Sequence, residues 1–290
     1  MTAKILSAAP VVAQIKKGLI TRCEALKKQG VVPSMCVVLV GNSPASMSYI
    51  RNKKRMCEEV GAHFTLLHLP EDIETSEFLR EIEKLNKDPA IHGIIIQLPV
   101  SKQLKDLPLP NLISPVKDID GFHGINTQNL YSGSTDLSLL LPCTPKGIVN
   151  LLRFYQIDPK GKTIVVVGRS LIVGKPLSML LSNLDATVIQ AHSQTHDLPS
   201  LTKQADIVIS AIGRANFFDQ SYFDPKRKSV VIDVGINSLN GKLTGDMDQE
   251  NIKEVVSAMT PVPGGVGPMT VISLIENLIC ATEKQSKDSK

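Results

Sequence analysis

Apolar positions along this chain fall into two series of alternating helical and strand patterns, separated by a long stretch with little of either. Val11, Val12, Ile15 and Leu19 recur at helical spacing, so residues 9–29 predict an amphipathic helix stopped by Gly30 and Pro33. SMCVVLVG (34–41) is an unbroken apolar run and predicts a buried strand. A helix over 43–60 follows, with Ser43 as N-cap and Pro44 at the first helical position. Residues 63–69 predict a second strand, 75–86 a helix, and 91–97 (IHGIIIQ) a third strand. Over 98–145 Pro, Gly, Asn and Asp replace the periodicity, and a loop that long inside a compact domain is usually functional.

A helix over 145–156 opens the second series. Strand TIVVVG from Thr163, helix 174–184, strand ATVIQA, helix 197–204 and strands DIVISAI and SVVIDVG (229–235) follow, then a long helix over 268–285. Apolar runs without alternation, separated by helices, are the mark of parallel strands covered on both faces. The chain is therefore read as α/β.

Composition changes this picture little. With 42% apolar and 21% charged residues among 290, the chain has the make-up of a globular protein of about two domains. No apolar run approaches the ~20 residues of a membrane helix. A net charge of +4 suits an anionic ligand but falls short of a nucleic-acid binder. The five cysteines (Cys23, Cys36, Cys57, Cys143, Cys280) are odd in number and lack metal-ligand spacing, so they are read as buried reduced thiols, with no metal site. The N-terminus has no cleavable leader pattern, and the polar end EKQSKDSK is read as a frayed tail.

Chemistry first shows in TIVVVGRSLIVGKPLSMLL, a strand, a glycine turn and a helix. Gly168 ends the strand and Gly174 starts the helix, whose exposed N–H groups form an anion site. Ser170 stands at the second glycine position of the usual dinucleotide fingerprint, so an ordinary tight turn fits the same residues. The next strand ends at Gln190-Ala191-His192-Ser193, where NAD enzymes usually carry an acid for the ribose hydroxyls. No carboxylate precedes Asp197, while Arg169 follows the glycine; a cation and a hydroxyl without an acid point to NADP. His192 is read as a structural or surface histidine.

In ASMSYIRNKKR, Tyr49 and Lys53 are four apart and share a helix face, where they can stack on a planar ligand and pass a proton. A solvated Tyr–Lys pair fits the same spacing, and Lys54 and Arg55 are read as solvent charges. Gln97 sits at the C-terminal end of the third strand, where α/β sheets bind ligands. In SPVKDIDGFH, Asp118 and Asp120 flank an apolar residue, so one faces a turn or solvent when the other faces a ligand. TPVPGGVGPMT, with Pro263 and Gly264, is either a backbone wall against a ligand or a hinge.

YIRNK, GIIIQLP, KDIDGF, PCTPKG, VVVGRSLIVGKP, VIDVGIN and PVPGGVGPMT occur in the order and spacing of the bifunctional methylenetetrahydrofolate dehydrogenase/cyclohydrolases, which the chain resembles over residues 4–285. The resemblance implies Lys53 as catalytic lysine, Tyr49 as ring-stacking tyrosine, Gln97 as the lysine's support and Asp120 as the pterin-binding aspartate. It assigns Gly168, Arg169, Ser170, Ser193 and Ile236 to the cofactor. It further implies a folate substrate, NADP, a homodimer, a cytoplasmic location, and no nucleic-acid or membrane partner. The expected architecture is an N-terminal α/β layer domain (1–140) completed by the returning C-terminal helix (271–290), plus a Rossmann-like NADP domain (141–270). Departures are SAAP (7–10) in place of DGK, Gln128 for a frequent glycine, and IGRAN (212–216) without the usual proline.

Overall fold

A computed structural model describes residues 2–239 and 241–288. In chain order they form β1 (Lys4–Ile5), α1 (Ala8–Lys28), β2 (Ser34–Val40), α2 (Pro44–Glu59), β3 (His63–Leu69), α3 (Thr75–Lys87), β4 (Gly93–Ile96), α4 (Leu109–Leu112), α5 (Gly124–Tyr131) and α6 (Cys143–Phe154). There follow β5 (Thr163–Val167), α7 (Gly174–Asn183), β6 (Thr187–Ala191), α8 (Leu198–Gln204), β7 (Ile207–Ser210), β8 (Val230–Asp233), β9 (Asn237–Leu239), β10 (Lys242–Thr244), α9 (Gln249–Ile252), β11 (Ala258–Met259) and α10 (Val266–Asp288).

These residues gather into two compact units. One holds the residues up to Ala13, Leu130–Thr135 and Thr144–Thr270; the other holds Gln14–Asn129, Asp136–Cys143 and the residues from Val271 on. The first is built on a six-stranded sheet of order β1-β11-β8-β7-β5-β6, parallel throughout. Val165 of β5 pairs with Ile189 on one side and Val208 on the other. Val165, Val208, Val231, Phe218 and Met247 are buried in its core. The second unit has a parallel sheet of order β3-β2-β4, with Val37 between Leu66 and Ile95. Its core includes Val38, Ile94, Phe78 and Ile82, the last two from the apolar face of α3.

Both sheets reverse strand order in the same way. From β5 the chain goes to β6 on one side and then to β7 on the other; from β2 it goes to β3 and then to β4. Such a reversal opens a crevice at the carboxyl ends of the central strands, where open α/β sheets bind ligands. Gly168 lies at the end of the central β5, and Gln97 at the end of β4, beside the central β2.

The sequence pattern differs from the structure where elements are short or held from a distance. β1 pairs with β11 (Lys4↔Ala258, Ile5↔Met259), so the first residues join the six-stranded unit rather than the layer expected over 1–140. Two-residue strands carry no period to read. The stretch 98–145 contains α4 and α5, too short for a helical stripe. β9 and β10 form an antiparallel hairpin (Asn237↔Thr244), which the Asn240-Gly241 dipeptide signals in the sequence. The tail expected to fray is helical through Asp288. Glu283 binds Arg22 at 2.7 Å, and the Gln285 side-chain amide donates to the His92 and Val116 carbonyls at 2.8 and 3.0 Å. Residues 289–290 lie outside the described residues. Among the described residues, no helix is long and apolar enough to cross a membrane.

Candidate active site

In the three-stranded unit, β2 leads over a short turn into α2. The Ser43 hydroxyl accepts the Ser46 N–H, a cap worth ~1 kcal/mol to a helix start. The helix carries Tyr49 and Lys53 on one face. Lys53 is half-buried and donates from Nζ to Gln97 Oε1 at 2.9 Å. Gln97 is itself fixed: its N–H donates to the Val38 carbonyl at 2.8 Å, and its Nε2 donates to the Leu98 carbonyl at 2.9 Å. With Nε2 so occupied, Oε1 is the atom left for the lysine. Tyr49 keeps 46% of its surface exposed. Lys54 and Arg55 are exposed, each within 3.8 Å of a glutamate one turn on.

The two aspartates of KDIDGF separate cleanly. Asp118 is buried and accepts from the Gly121 N–H (3.1 Å), the His123 N–H (2.7 Å) and Asn126 Nδ2 (2.9 Å), so it pins the turn. Asp120 is turned otherwise. Burial pushes its carboxyl above the ordinary range, while the Lys53 charge and a hydrogen bond with the Cys143 thiol pull it down. Gly121 has φ +79°, and a Cβ there would lie 2.3 Å from the Leu141 carbonyl carbon, so the turn admits only glycine. Asn277 of α10 donates from Nδ2 to the carbonyls of Ile119 (2.9 Å) and Leu141 (2.8 Å). The C-terminal helix thus fixes the loop that presents Asp120. An amine, the amide that holds it and a half-buried carboxyl can together move a proton and accept ring N–H donors. Cys143 has a place here that its motif alone did not reveal.

In the six-stranded unit, Gly168 follows β5 with φ +132°, and a Cβ on it would sit 2.6 Å from the Ala211 carbonyl oxygen. A Cβ on Gly174 would sit 2.2 Å from the Gly168 oxygen, so turn and helix touch through backbone. One expectation is corrected. The N–H groups of Val173 and Gly174 are not left open: Ser170 Oγ accepts both, at 3.2 and 3.3 Å. A hydroxyl at the second glycine position fills the helix start that glycine would leave open.

A cavity of about 340 Å³ opens beside this turn, lined by Gly168, Arg169, His192, Ser193, Arg214 and Phe217 among others. Leu198, Ile212 and Phe217 offer apolar surface, and no carboxylate among the described residues lines it. Apolar walls with two arginines and a serine fit the phosphorylated adenosine half of NADP. Arg214 escaped the sequence reading, although its position just past the β7 strand end was the available signal. Ile236 is 45% exposed and lies beside Gly267 instead of in this cavity. Gly264 belongs to the same unit, in the turn before α10, where its carbonyl accepts the Ala8 N–H at 2.9 Å.

A parallel α/β unit with a cationic cavity at its strand ends, in one chain with a parallel unit carrying an amine–amide–carboxyl set, is an arrangement suited to a nucleotide-dependent enzyme. Residues 6–120 match the tetrahydrofolate dehydrogenase/cyclohydrolase catalytic domain, and 142–286 match the NAD(P)-binding domain of the same description. The chain belongs to the tetrahydrofolate dehydrogenase/cyclohydrolase family. It is 46% identical over 284 residues to the bifunctional protein FolD of Halalkalibacterium halodurans, covering 98% of this chain and 100% of that one. The crystal structure of the bifunctional enzyme FolD from Campylobacter jejuni superposes with a TM-score of 0.91 at 40% identity, over 97% of this chain and 99% of that one. The Trypanosoma brucei methylenetetrahydrofolate dehydrogenase-cyclohydrolase, complexed with NADP cofactor and inhibitor, gives 0.90 at 29% identity, over 99% of each chain.

Proposed function

We propose that this chain oxidises 5,10-methylenetetrahydrofolate to 5,10-methenyltetrahydrofolate with NADP and hydrolyses the product to 10-formyltetrahydrofolate. The observation that carries the reading is the Lys53–Gln97 hydrogen bond of 2.9 Å, with the Asp120 carboxyl in the field of the same lysine. NADP, when bound, accepts the hydride. The chain's own residues do the rest. Asp120 accepts two hydrogen bonds from the pterin, and Tyr49 stacks on its ring. Pro263 and Gly264 present backbone to the folate. In the hydrolytic step water adds to the methenyl carbon and loses a proton; a ring C–N bond then breaks as the new hydroxyl gives up its remaining proton to solvent and becomes the formyl carbonyl, and the released nitrogen gains a proton. Lys53, held by Gln97, takes the first proton and supplies the last. Arg169 and Ser193 bind the 2′-phosphate, and Gly168, Ser170, Gly174 and Ile236 contact the remainder of the cofactor.

The test is to follow NADPH and methenyltetrahydrofolate absorbance together, with NADP and with NAD. NADPH should appear, and the methenyl species should rise and decay faster than it does without enzyme. Decay at the uncatalysed rate would reduce the protein to a dehydrogenase, and equal use of both cofactors would remove the NADP assignment. The same reading makes the protein a homodimer, which sedimentation tests. It also places the protein in the cytoplasm, where reducing conditions keep its five free thiols reduced; cell fractionation tests this.

A further inference from the structure

We infer that Arg214 is a second cationic determinant for the adenosine 2′-phosphate, acting with Arg169 from the β7 side of the same cavity. The inference rests on the reading of that cavity as the NADP site. Arg169 follows β5, Ser193 follows β6 and Arg214 follows β7, so three adjacent strand ends each send one polar side chain to one cavity. A phosphate monoester carries close to two negative charges at neutral pH, and one arginine leaves about half of that unmatched. NAD has no such group, so a second cation here separates the two cofactors instead of strengthening both.

Arg214 is held for this task at both ends. Its guanidinium lies 4.5 Å from the Phe217 ring centroid. A guanidinium stacked by its face keeps its in-plane N–H donors free, the geometry that matches phosphate oxygens. Its backbone is fixed by Asp246, which is fully buried and accepts the N–H groups of Ile212 (2.9 Å), Gly213 (3.3 Å) and Arg214 (2.8 Å). Ser210 Oγ and Asn237 Nδ2 donate to the same carboxylate at 2.8 and 3.1 Å, so the loop is set from several directions. Arg227, by contrast, spends its charge on Asp206 at 3.1 Å. No carboxylate among the described residues pairs with the Arg214 guanidinium.

The experiment is calorimetric titration of the full chain with 2′,5′-ADP and with 5′-AMP, in the unaltered protein, Arg214→Gln and Arg214→Lys. Both ligands carry adenine and the 5′-phosphate, so they differ only where Arg214 is assigned. Arg214→Gln should weaken 2′,5′-ADP about 10-fold, the scale of one charge-assisted hydrogen bond. Binding of 5′-AMP should change less than about twofold, and Arg214→Lys should recover part of the loss because the charge remains. The residue is exposed, so the fold tolerates both variants. Equal losses for the two ligands would assign Arg214 to the purine or the 5′-phosphate and overturn the inference, as would no loss. If the unaltered protein bound both ligands equally, the NADP reading itself would fall; if it preferred 2′,5′-ADP and Arg214→Gln kept that preference, only the Arg214 assignment would.

Discussion

The two strand-order reversals have the same topology and opposite chemistry. At the end of β5 the Ser170 hydroxyl closes the start of α7 by accepting the Val173 and Gly174 N–H groups, and the cations Arg169 and Arg214 stand in the cavity without carboxylate partners among the described residues. At the end of β4 the charged groups are partnered: Lys53 by Gln97, and Asp120 by Cys143 and by the lysine's field. The difference matches the two tasks proposed for these sites. A ligand of fixed negative charge is held best by cations that no protein carboxylate has neutralised. A proton must change hands at the other site, and there a group needs a partner that sets its position and its protonation state.

Lys53→Met tests this division most sharply. It keeps much of the stem and removes the amine, so cyclohydrolase activity should fall by roughly 10²–10⁴-fold. Dehydrogenase activity should fall less, because loss of hydride is pushed by the adjacent nitrogen and depends on orientation. Methenyltetrahydrofolate should accumulate, and NADP binding should hold. Parallel loss of both activities would make Lys53 a positioning group.

The six-stranded unit also buries acids, but as scaffold. Asp233 accepts from the Gly235, Asp246 and Met247 N–H groups, and burial pushes its pKa up to about 7. The folded protein then holds a proton that the unfolded chain releases near pH 4. Stability contributed at this residue falls as pH rises from about 4 to about 7 and levels off above, with roughly 4 kcal/mol as the upper bound. Melting temperatures across that range should show the decline, and Asp233→Asn, less stable overall, should show a shallower one. An unchanged slope would mean that other buried acids set it.

Asp120→Ala should impair both activities about 10–100-fold by removing a pair of charge-assisted hydrogen bonds to the pterin. NADP binding should be spared, since the change lies in the three-stranded unit. Calorimetry showing unchanged folate affinity would leave Asp120 as a loop residue.

What the sequence could reveal of these sites depended on distance along the chain. The strands β2, β5 and β7 were legible as apolar runs, and α2 as a capped stripe, because each is encoded by neighbours. The alternation of Asp118 and Asp120 showed that they part, but not which one pins the turn; that is decided by Asn126 and the His123 N–H. Asn277 contacts Ile119 across 158 positions, a separation that no period reports. Arg214 was missed for a related reason. Its partner Phe217 is local, but the cavity that gives it meaning is assembled from three strand ends.

Arg169→Ala probes the unpartnered cation directly. The Michaelis constant for NADP should rise by roughly 10–100-fold, the equivalent of about 1.5–3 kcal/mol, and that for NAD much less. Equal increases would show that Arg169 serves the part common to both cofactors.

The smallest effect expected belongs to Gln97, and it bears on whether a partner is what distinguishes the catalytic site. Its Oε1 holds Lys53 Nζ at 2.9 Å, and its own amide is anchored on Leu98. Gln97→Ala removes one neutral-acceptor hydrogen bond, worth ~0.5–1.5 kcal/mol, so cyclohydrolase kcat should drop about 2- to 10-fold. The Michaelis constant should move little if the glutamine acts through the lysine. Gln97→Glu separates positioning from plain structural support. It keeps the length and the acceptor but adds a negative charge next to the amine, which favours the ammonium form. If neutral lysine is the base in hydrolysis, the cyclohydrolase pH–rate profile of Gln97→Glu should move to higher pH, with activity recovering as pH rises. A residue that merely braces the strand end would lower activity at every pH by the same factor. A profile unshifted in Gln97→Glu would therefore detach Gln97 from the proton chemistry and leave Lys53 to act without it.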